Sequence, residues 1–303
     1  ALSIPIDIHF NKLWGLHNTG QDYPLVEGGI GYGTSDADID APEAWEIHTD
    51  ASSITIAVID TGVNYGHPDL AANMWINQAE LIGDPNSDDD ENGYKDDIYG
   101  YDFLNEDGDP NDDNLHGTHC AGTIGAVGNN GIGISGVCWS VKIMALKFLD
   151  ASGSGYTNDA IECINYAVDN GAKILSNSWG GGGYSQSLKN TIEVAGIKGA
   201  LFIAAAGNDG VNNDWEHHYP SGYDCDNIIS VLSTNSDDDK SSWSNYGANS
   251  VDIGAPGEDI FSTFPTYRTP AFIDLESLYG RTFSTSYETI GGTSMAAPHV
   301  AGA

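Results

Sequence analysis

The chain has 303 residues, with 10 Lys and Arg against 44 Asp and Glu, a formal charge of −34. Only 18% of residues are charged and 40% are hydrophobic, so this is a globular chain with core-forming capacity, not a disordered acidic tail. A charge of that sign without a Lys/Arg cluster argues against nucleic-acid and anionic-membrane partners, and its self-repulsion makes bound cations an early expectation.

No run approaches 18 consecutive apolar residues, so no transmembrane span is expected. Residues 1–10 lack the charged and apolar regions of a signal peptide, so a secreted form would have lost its leader. Cys120, Cys138, Cys163 and Cys225 include no C-x-x-C pair. A zinc site is therefore not expected, and one, two or no disulfides remain open.

In chain order, strands are predicted at 54–60 (ITIAVID), 141–149 (VKIMALKFL), 173–178 (KILSNS), 200–206 (ALFIAAA) and 228–234 (IISVLST). Each is apolar almost throughout, as expected when both faces are covered. Helices are predicted at 158–170, where Ile161, Ile164 and Val168 fall at i, i+3 and i+7 before Gly171, and at 185–196. The alternation indicates a parallel sheet with helices on both faces. Two stretches break the pattern: 83–113 is crowded with Asp, Asn and Gly, and 261–289 has prolines and aromatics without clear periodicity. Both read as insertions or long surface loops. There is no internal repeat.

Three motifs carry chemistry. Asp60-Thr61-Gly62 follows the first strand, where an Asp at a carboxyl end either serves a site or caps a turn. His116-Gly117-Thr118-His119-Cys120-Ala121-Gly122 has no third ligand at a familiar zinc spacing. The glycine beside His116 suggests close backbone approach at a helix start. Gly292-Thr293-Ser294-Met295-Ala296-Ala297-Pro298-His299 places Ser294 near a helix N-terminus, where N–H groups can stabilise developing negative charge. A serine hydroxyl needs an imidazole to take its proton, and the imidazole needs a carboxylate to orient it. The chain order Asp60, His116, Ser294 is the subtilisin order.

With these motifs, Asn177-Ser178-Trp179-Gly180-Gly181 and Ala204-Ala205-Ala206-Gly207-Asn208, the chain resembles the subtilisin-like serine proteases (subtilases) from about residue 7 to 303. Trp14-Gly15-Leu16-His17-Asn18-Thr19-Gly20 and the acidic insert place the resemblance nearest the thermitase-like and environmental bacterial branch. It implies a three-layer α/β/α fold with a mainly parallel central sheet. It implies an endopeptidase with Ser294 as nucleophile, His116 as general base and then acid, Asp60 as orienting carboxylate, and Asn208 in the oxyanion hole. Gly153, Ser154, Gly155, Ser178, Trp179 and Gly180 match the two edges that pair an extended polypeptide substrate. Trp179 stands where subtilisins more often carry Leu and should reshape the pocket rim. Asp209 suggests a preference for basic side chains near the cleavage point.

The resemblance also implies Ca2+. One site falls at Asp102, Asn105, Asp107, Asp109 and Asn111, hard oxygen ligands just before His116. A solvated acidic turn is the alternative there. A second would join Asp7, Asp69 and Asn130 to backbone carbonyls of Val127, Ile132 and Ile134. A third candidate is an EF-hand-like loop with Asp88, Asp90 and Asn92, whose position 12 is Tyr99 instead of a bidentate Glu. A solvated acidic run explains that loop equally well.

The expected whole is one catalytic domain over 1–303, secreted, monomeric, made with an N-terminal propeptide, and ending inside the nucleophile's helix as a partial chain would. Cys120 is expected as a free thiol beneath the site. Two rivals stand against this reading. A calcium-binding module with a dead protease fold is opposed by the intact Asp60, His116, Ser294 and Asn208. An α/β-hydrolase esterase would need G-x-S-x-G and the order Ser…Asp…His, and has neither.

Overall fold

The computed structural model describes residues 2–303. An N-terminal hairpin, β1 (Asp22–Pro24) and β2 (Ile30–Tyr32), precedes a short helix α1 (Ala41–Trp45). The central sheet has seven strands: β3 (Asp50–Asp60), β4 (Gly100–Asp102), β5 (Ser140–Lys147), β6 (Ile174–Asn177), β7 (Leu201–Ala205), β8 (Ile228–Thr234) and β9 (Ile253–Pro256). All its pairings are parallel, in the order β4-β5-β3-β6-β7-β8-β9.

Alternation along β3 shows why this chain makes three layers. Ile56 and Val58 point into one buried cluster, shared with Cys120, Ile124 and Ala297 of two helices. Ala57 and Ile59 point into the other, shared with Ile164, Ala167 and Ile192. A period of two thus feeds two cores. Helices α3 (His116–Gly125) and α7 (Thr293–Gly302) cover the first face; α4 (Thr157–Asp169) and α5 (Gln186–Ile197) cover the second.

The five predicted strands and two predicted helices are present with small shifts at their ends. The two irregular stretches hold more order than predicted. The short helix α2 (Gln78–Ile82) leads into the acidic segment, which itself contains edge strand β4. Residues 261–289 are not simply a loop. β10 (Ile260–Thr263) and β11 (Tyr287–Ile290) pair antiparallel and bracket helix α6 (Pro270–Tyr279). Pro270 opens that helix and Gly280, at φ +64°, closes it. These punctuation signals were present in the sequence, but α6 buries only Ala271 and Phe272, so its apolar period is faint. All four cysteines are unpaired, which closes the question the sequence left open.

Candidate active site

Asp60 ends β3 and is buried, 1% exposed. The next turn needs Gly62: its φ is +105°, and a Cβ there would lie 2.6 Å from the Pro110 carbonyl oxygen. Across from it, α3 begins at His116, whose Nδ1 lies 2.8 and 3.0 Å from the two Asp60 oxygens. The close approach expected of Gly117 is real, since a Cβ there would overlap the Gly62 carbonyl oxygen. Burial works against the charged form of His116. The attraction and hydrogen bond of Asp60 outweigh it, with help from Asp112, and its pKa is raised.

Sequence reasoning missed two residues that lace this corner together. Asp112 is fully buried. It accepts from Thr61 Oγ1 (2.9 Å), Asn114 N (2.9 Å), Thr118 N (3.0 Å) and Thr118 Oγ1 (2.6 Å). Thr61 Oγ1 in turn accepts from Gly117 N at 3.0 Å. Burial pushes the Asp112 pKa up to about 6 against those hydrogen bonds. Lys147, 1% exposed, donates to Thr61 O (3.0 Å), Leu149 O and Asp113 Oδ1 (2.7 Å). Its signal was a second Lys, after the exposed Lys142, inside the apolar run 141–149; a buried ammonium needs several acceptors, and it has them. Asp112 was hidden in an acidic run where its burial left no trace.

Ser294 is the second residue of α7. Its Oγ donates to Ser178 O at 3.0 Å, and Ser178 Oγ donates back to Ser294 O at 2.7 Å. No hydrogen bond joins Ser294 Oγ to His116 Nε2 among the described residues. Asn208 Oδ1 accepts from Thr293 N and Oγ1, both at 2.9 Å, which leaves its Nδ2 without an acceptor among the described residues. Cys120 lies beneath, with Sγ 3.5 Å from Ser294 O, and burial pushes its thiol well up.

Gly153, Ser154, Gly155, Ser178, Trp179 and Gly180 line a cleft of about 610 Å³, and His116 lines it too. Trp179 packs edge-on against Phe148 with ring centres 5.0 Å apart. Asp209 is exposed beside Asn208.

The acidic residues gather in three groups. Asp7 accepts from the amides of Asn129 (2.7 Å), Asn130 (2.9 Å) and Gly131 (2.8 Å) and from Ser135 Oγ. Asp69 accepts from Asn130 Nδ2, Ile134 N and Tyr287 Oη. Both carboxylates are buried without an ion-pair partner among the described residues. Burial, and then repulsion from Asp7, raise the Asp69 pKa. Val127 and Ile132 lie in the same loop: Val127 N donates to Asp69 O (2.8 Å) and Ile132 N to Asn130 Oδ1 (2.7 Å).

In the second group Asp102 accepts from Leu104 N, Asn105 N and Asn105 Nδ2, and forms a backbone bridge with Asp107. Asp109 and Asn111 run on from it toward Tyr65 and Asn64. In the third, Glu80 from α2 reaches Asp88 and Asp90, with carboxylate oxygens of all three within 4.8 Å of one another. The acid missing from position 12 of that loop is thus replaced in space by one that precedes the loop, which sequence spacing could not show. Asn92 adds Nδ2 contacts to Asp90 (3.2 Å) and Asp97 (2.9 Å). All three groups offer hard oxygen donors, the chemistry that suits Ca2+.

The model of the Subtilase family matches residues 51–303. Thermitase of Thermoactinomyces vulgaris is 39% identical over 264 residues, 87% of this chain and 77% of its own length. The thermophilic serine proteinase of Bacillus sp. (strain AK1) is 36% identical over 293 residues, 97% of this chain but 59% of its own length. A solved protease structure from Pseudoalteromonas arctica PAMC 21717 superposes with a TM-score of 0.72 at 28% identity, covering 99% of this chain and 85% of that one. On fold, family match and relatives together, the chain belongs to the subtilase family of subtilisin-like serine proteases.

Proposed function

We propose that the protein is a secreted, calcium-stabilised serine endopeptidase that hydrolyses internal peptide bonds of polypeptides, with Asp60, His116 and Ser294 as its triad. The observation that supports this most is the buried Asp60 carboxylate on His116 Nδ1. It fixes the tautomer with Nε2 unprotonated, the form that can act as a base. Ser294 Oγ turns from the Ser178 carbonyl toward Nε2, gives up its proton and attacks the scissile carbonyl. Such catalytic contacts commonly tighten only with substrate bound. Asn208 Nδ2 and the Ser294 amide then meet the oxyanion, and His116 returns the proton to the leaving amine.

The substrate runs extended between 153–155 and 178–180, held by main-chain hydrogen bonds that tolerate many sequences. Asp209 favours a basic side chain near the cleavage point; equal cleavage after Arg and after Phe or Leu would remove that part of the reading. Asp7, Asp69 and Asn130, with carbonyls of Val127, Ile132 and Ile134, hold one Ca2+. Asp102, Asn105, Asp107, Asp109 and Asn111 hold another, and Asp88, Asp90 and Asn92 a third. The ion adds stability and no catalytic step. The enzyme works as a monomer released from a propeptide-bearing precursor.

The deciding experiment is labelling by a fluorophosphonate probe. The wild-type protein is labelled and cleaves casein; Ser294→Ala does neither while keeping its circular dichroism spectrum. Labelling that survives Ser294→Ala would overturn the assignment.

A further inference from the structure

A helix leaves its first amides without acceptors of its own, so whatever supplies them fixes where the helix starts. In α3 the residue before His116 is Leu115, whose side chain makes no capping bond. The first three amides are met from elsewhere. His116 N donates to Asn114 Oδ1 (3.1 Å), Gly117 N to Thr61 Oγ1 (3.0 Å) and Thr118 N to Asp112 Oδ2 (3.0 Å). Two of those acceptors belong to the loop 112–114, so the position of that loop sets the position of the His116 backbone.

The loop is pinned in turn by the 261–289 segment. Tyr267 Oη donates to Asp112 O at 2.8 Å, and Thr269 Oγ1 donates to Asn114 O. Thr269 is buried and stands at the N-cap of α6, where a threonine hydroxyl ordinarily accepts from an amide of its own helix. It makes no such bond among the described residues, and its proton is directed at the loop instead. Downstream of His116, β10 grips α3 in the same way: Thr263 Oγ1 donates to Thr118 O (2.7 Å) and Ser262 Oγ to His119 O (2.8 Å). Residues 262–269 thus hold backbone carbonyls on both sides of His116.

We propose that Tyr267 and Thr269 are positioning residues for the reaction: acting through Asp112 and Asn114, they hold His116 between Asp60 and Ser294. This rests on the endopeptidase reading above, and gives the 261–289 segment a role in it. Neither residue lines the cleft along 153–155 and 178–180, so their loss is felt in kcat and not in KM. A displacement of about 1 Å at a catalytic group can cost about 100-fold in rate, and release of one of the two hydroxyls is expected to cost about tenfold.

The test measures cleavage of a peptide substrate, with active sites counted by end-point fluorophosphonate labelling so that misfolded protein does not enter kcat. Tyr267→Phe and Thr269→Val each remove one hydroxyl and keep the side chain's shape. Each lowers kcat about tenfold with KM unchanged. Thr269→Ser, which retains the hydroxyl, keeps the wild-type kcat. If one variant does not fold, the other decides. Unchanged kcat per labelled site, a raised KM with kcat retained, or a Thr269→Ser protein as slow as Thr269→Val overturns the inference. A wild-type protein that cleaves no peptide overturns the endopeptidase reading and the inference with it.

Discussion

Ser178 and Ser294 exchange hydrogen bonds, 2.7 Å from Ser178 Oγ to Ser294 O and 3.0 Å from Ser294 Oγ to Ser178 O. The first exists because of Pro298. In α7 the Ser294 carbonyl would ordinarily accept from the amide of residue 298, and proline has none. Ser178 Oγ takes that place, which ties the helix of the proposed nucleophile to the proposed substrate-binding edge. Ser178→Ala leaves the carbonyl with only the weak Cys120 thiol. The variant is expected to lose about 1–3 kcal/mol of stability, the cost of an unmet buried acceptor. Chemical denaturation measures it, and an unchanged midpoint would mean that Ser178 is dispensable to the helix.

Asn208 separates its two ends. Oδ1 accepts from Thr293, while Nδ2 has no acceptor among the described residues and is the proposed oxyanion donor. Asn208→Asp keeps the acceptor and removes the donor. It should reduce kcat about 100- to 1000-fold with little change in KM, the range known for removal of the corresponding donor in subtilisin itself. A KM effect of that size with kcat retained would assign Asn208 to ground-state binding.

Much of this was legible before any coordinates. Asp60, His116 and Ser294 sit in short motifs whose neighbours are constrained by backbone contact, as Gly62 and Gly117 show. The buried strands announce themselves because both faces are apolar. What stayed hidden depends on distance in space. Glu80 joins Asp88 and Asp90 from another element. Asp112 is an ordinary acid in an acidic run until the fold buries it. Helix α6 escaped because it packs on so few residues that tertiary contact, not periodicity, defines it.

The activity should have a sharp acid limb. His116 must be neutral to accept the Ser294 proton, and Asp60 and Asp112 raise its pKa above the ordinary 6.5 despite burial. kcat/KM for a substrate without ionisable side chains therefore rises with pH through a midpoint above 6.5. Asp60→Asn removes both the charge and the correct tautomer, with an expected loss of about 10,000-fold in kcat near neutral pH, as in the best-studied triad. A midpoint well below 6.5 in the wild type would contradict the electrostatic account.

Calcium removal tests the acidic loops. Asp7 and Asp69 are buried near one another with no ion-pair partner among the described residues to neutralise them. At 100 times its dissociation constant each ion adds about 2.7 kcal/mol to the native state. Stripping the three proposed ions with EDTA should lower Tm by about 13 °C for a chain of this size. Calcium should restore it, and magnesium, which demands tighter octahedral geometry, should not. The same melting curve with and without EDTA would leave the −34 charge a surface property alone.

Acid stability isolates two histidines that take no part in the triad. His119 Nε2 donates to Ile260 O at 2.9 Å, while its buried Nδ1 has no partner in good hydrogen-bond geometry among the described residues, so a second proton there would be a poorly met buried charge. Burial lowers its pKa to about 3 and that of His299 to about 4. In the unfolded chain both protonate near 6.5. Below 6.5 the unfolded state therefore binds protons that the native state refuses, and stability falls as pH falls. Each histidine contributes a slope of about 1.4 kcal/mol per pH unit until its native pKa is reached. Asp112 acts with the opposite sign: its native pKa of about 6 lies above the unfolded 3.8, so it adds stability as pH drops through that window. Replacing one histidine cancels the carboxylate contribution in the comparison. His119→Asn should reduce the pH slope of the unfolding free energy by about 1.4 kcal/mol per unit between pH 6 and 4, measured by urea denaturation at saturating calcium. If both proteins share one slope, His119 is protonated in the native state, and the burial that isolates it must be relieved by a proton acceptor reaching Nδ1.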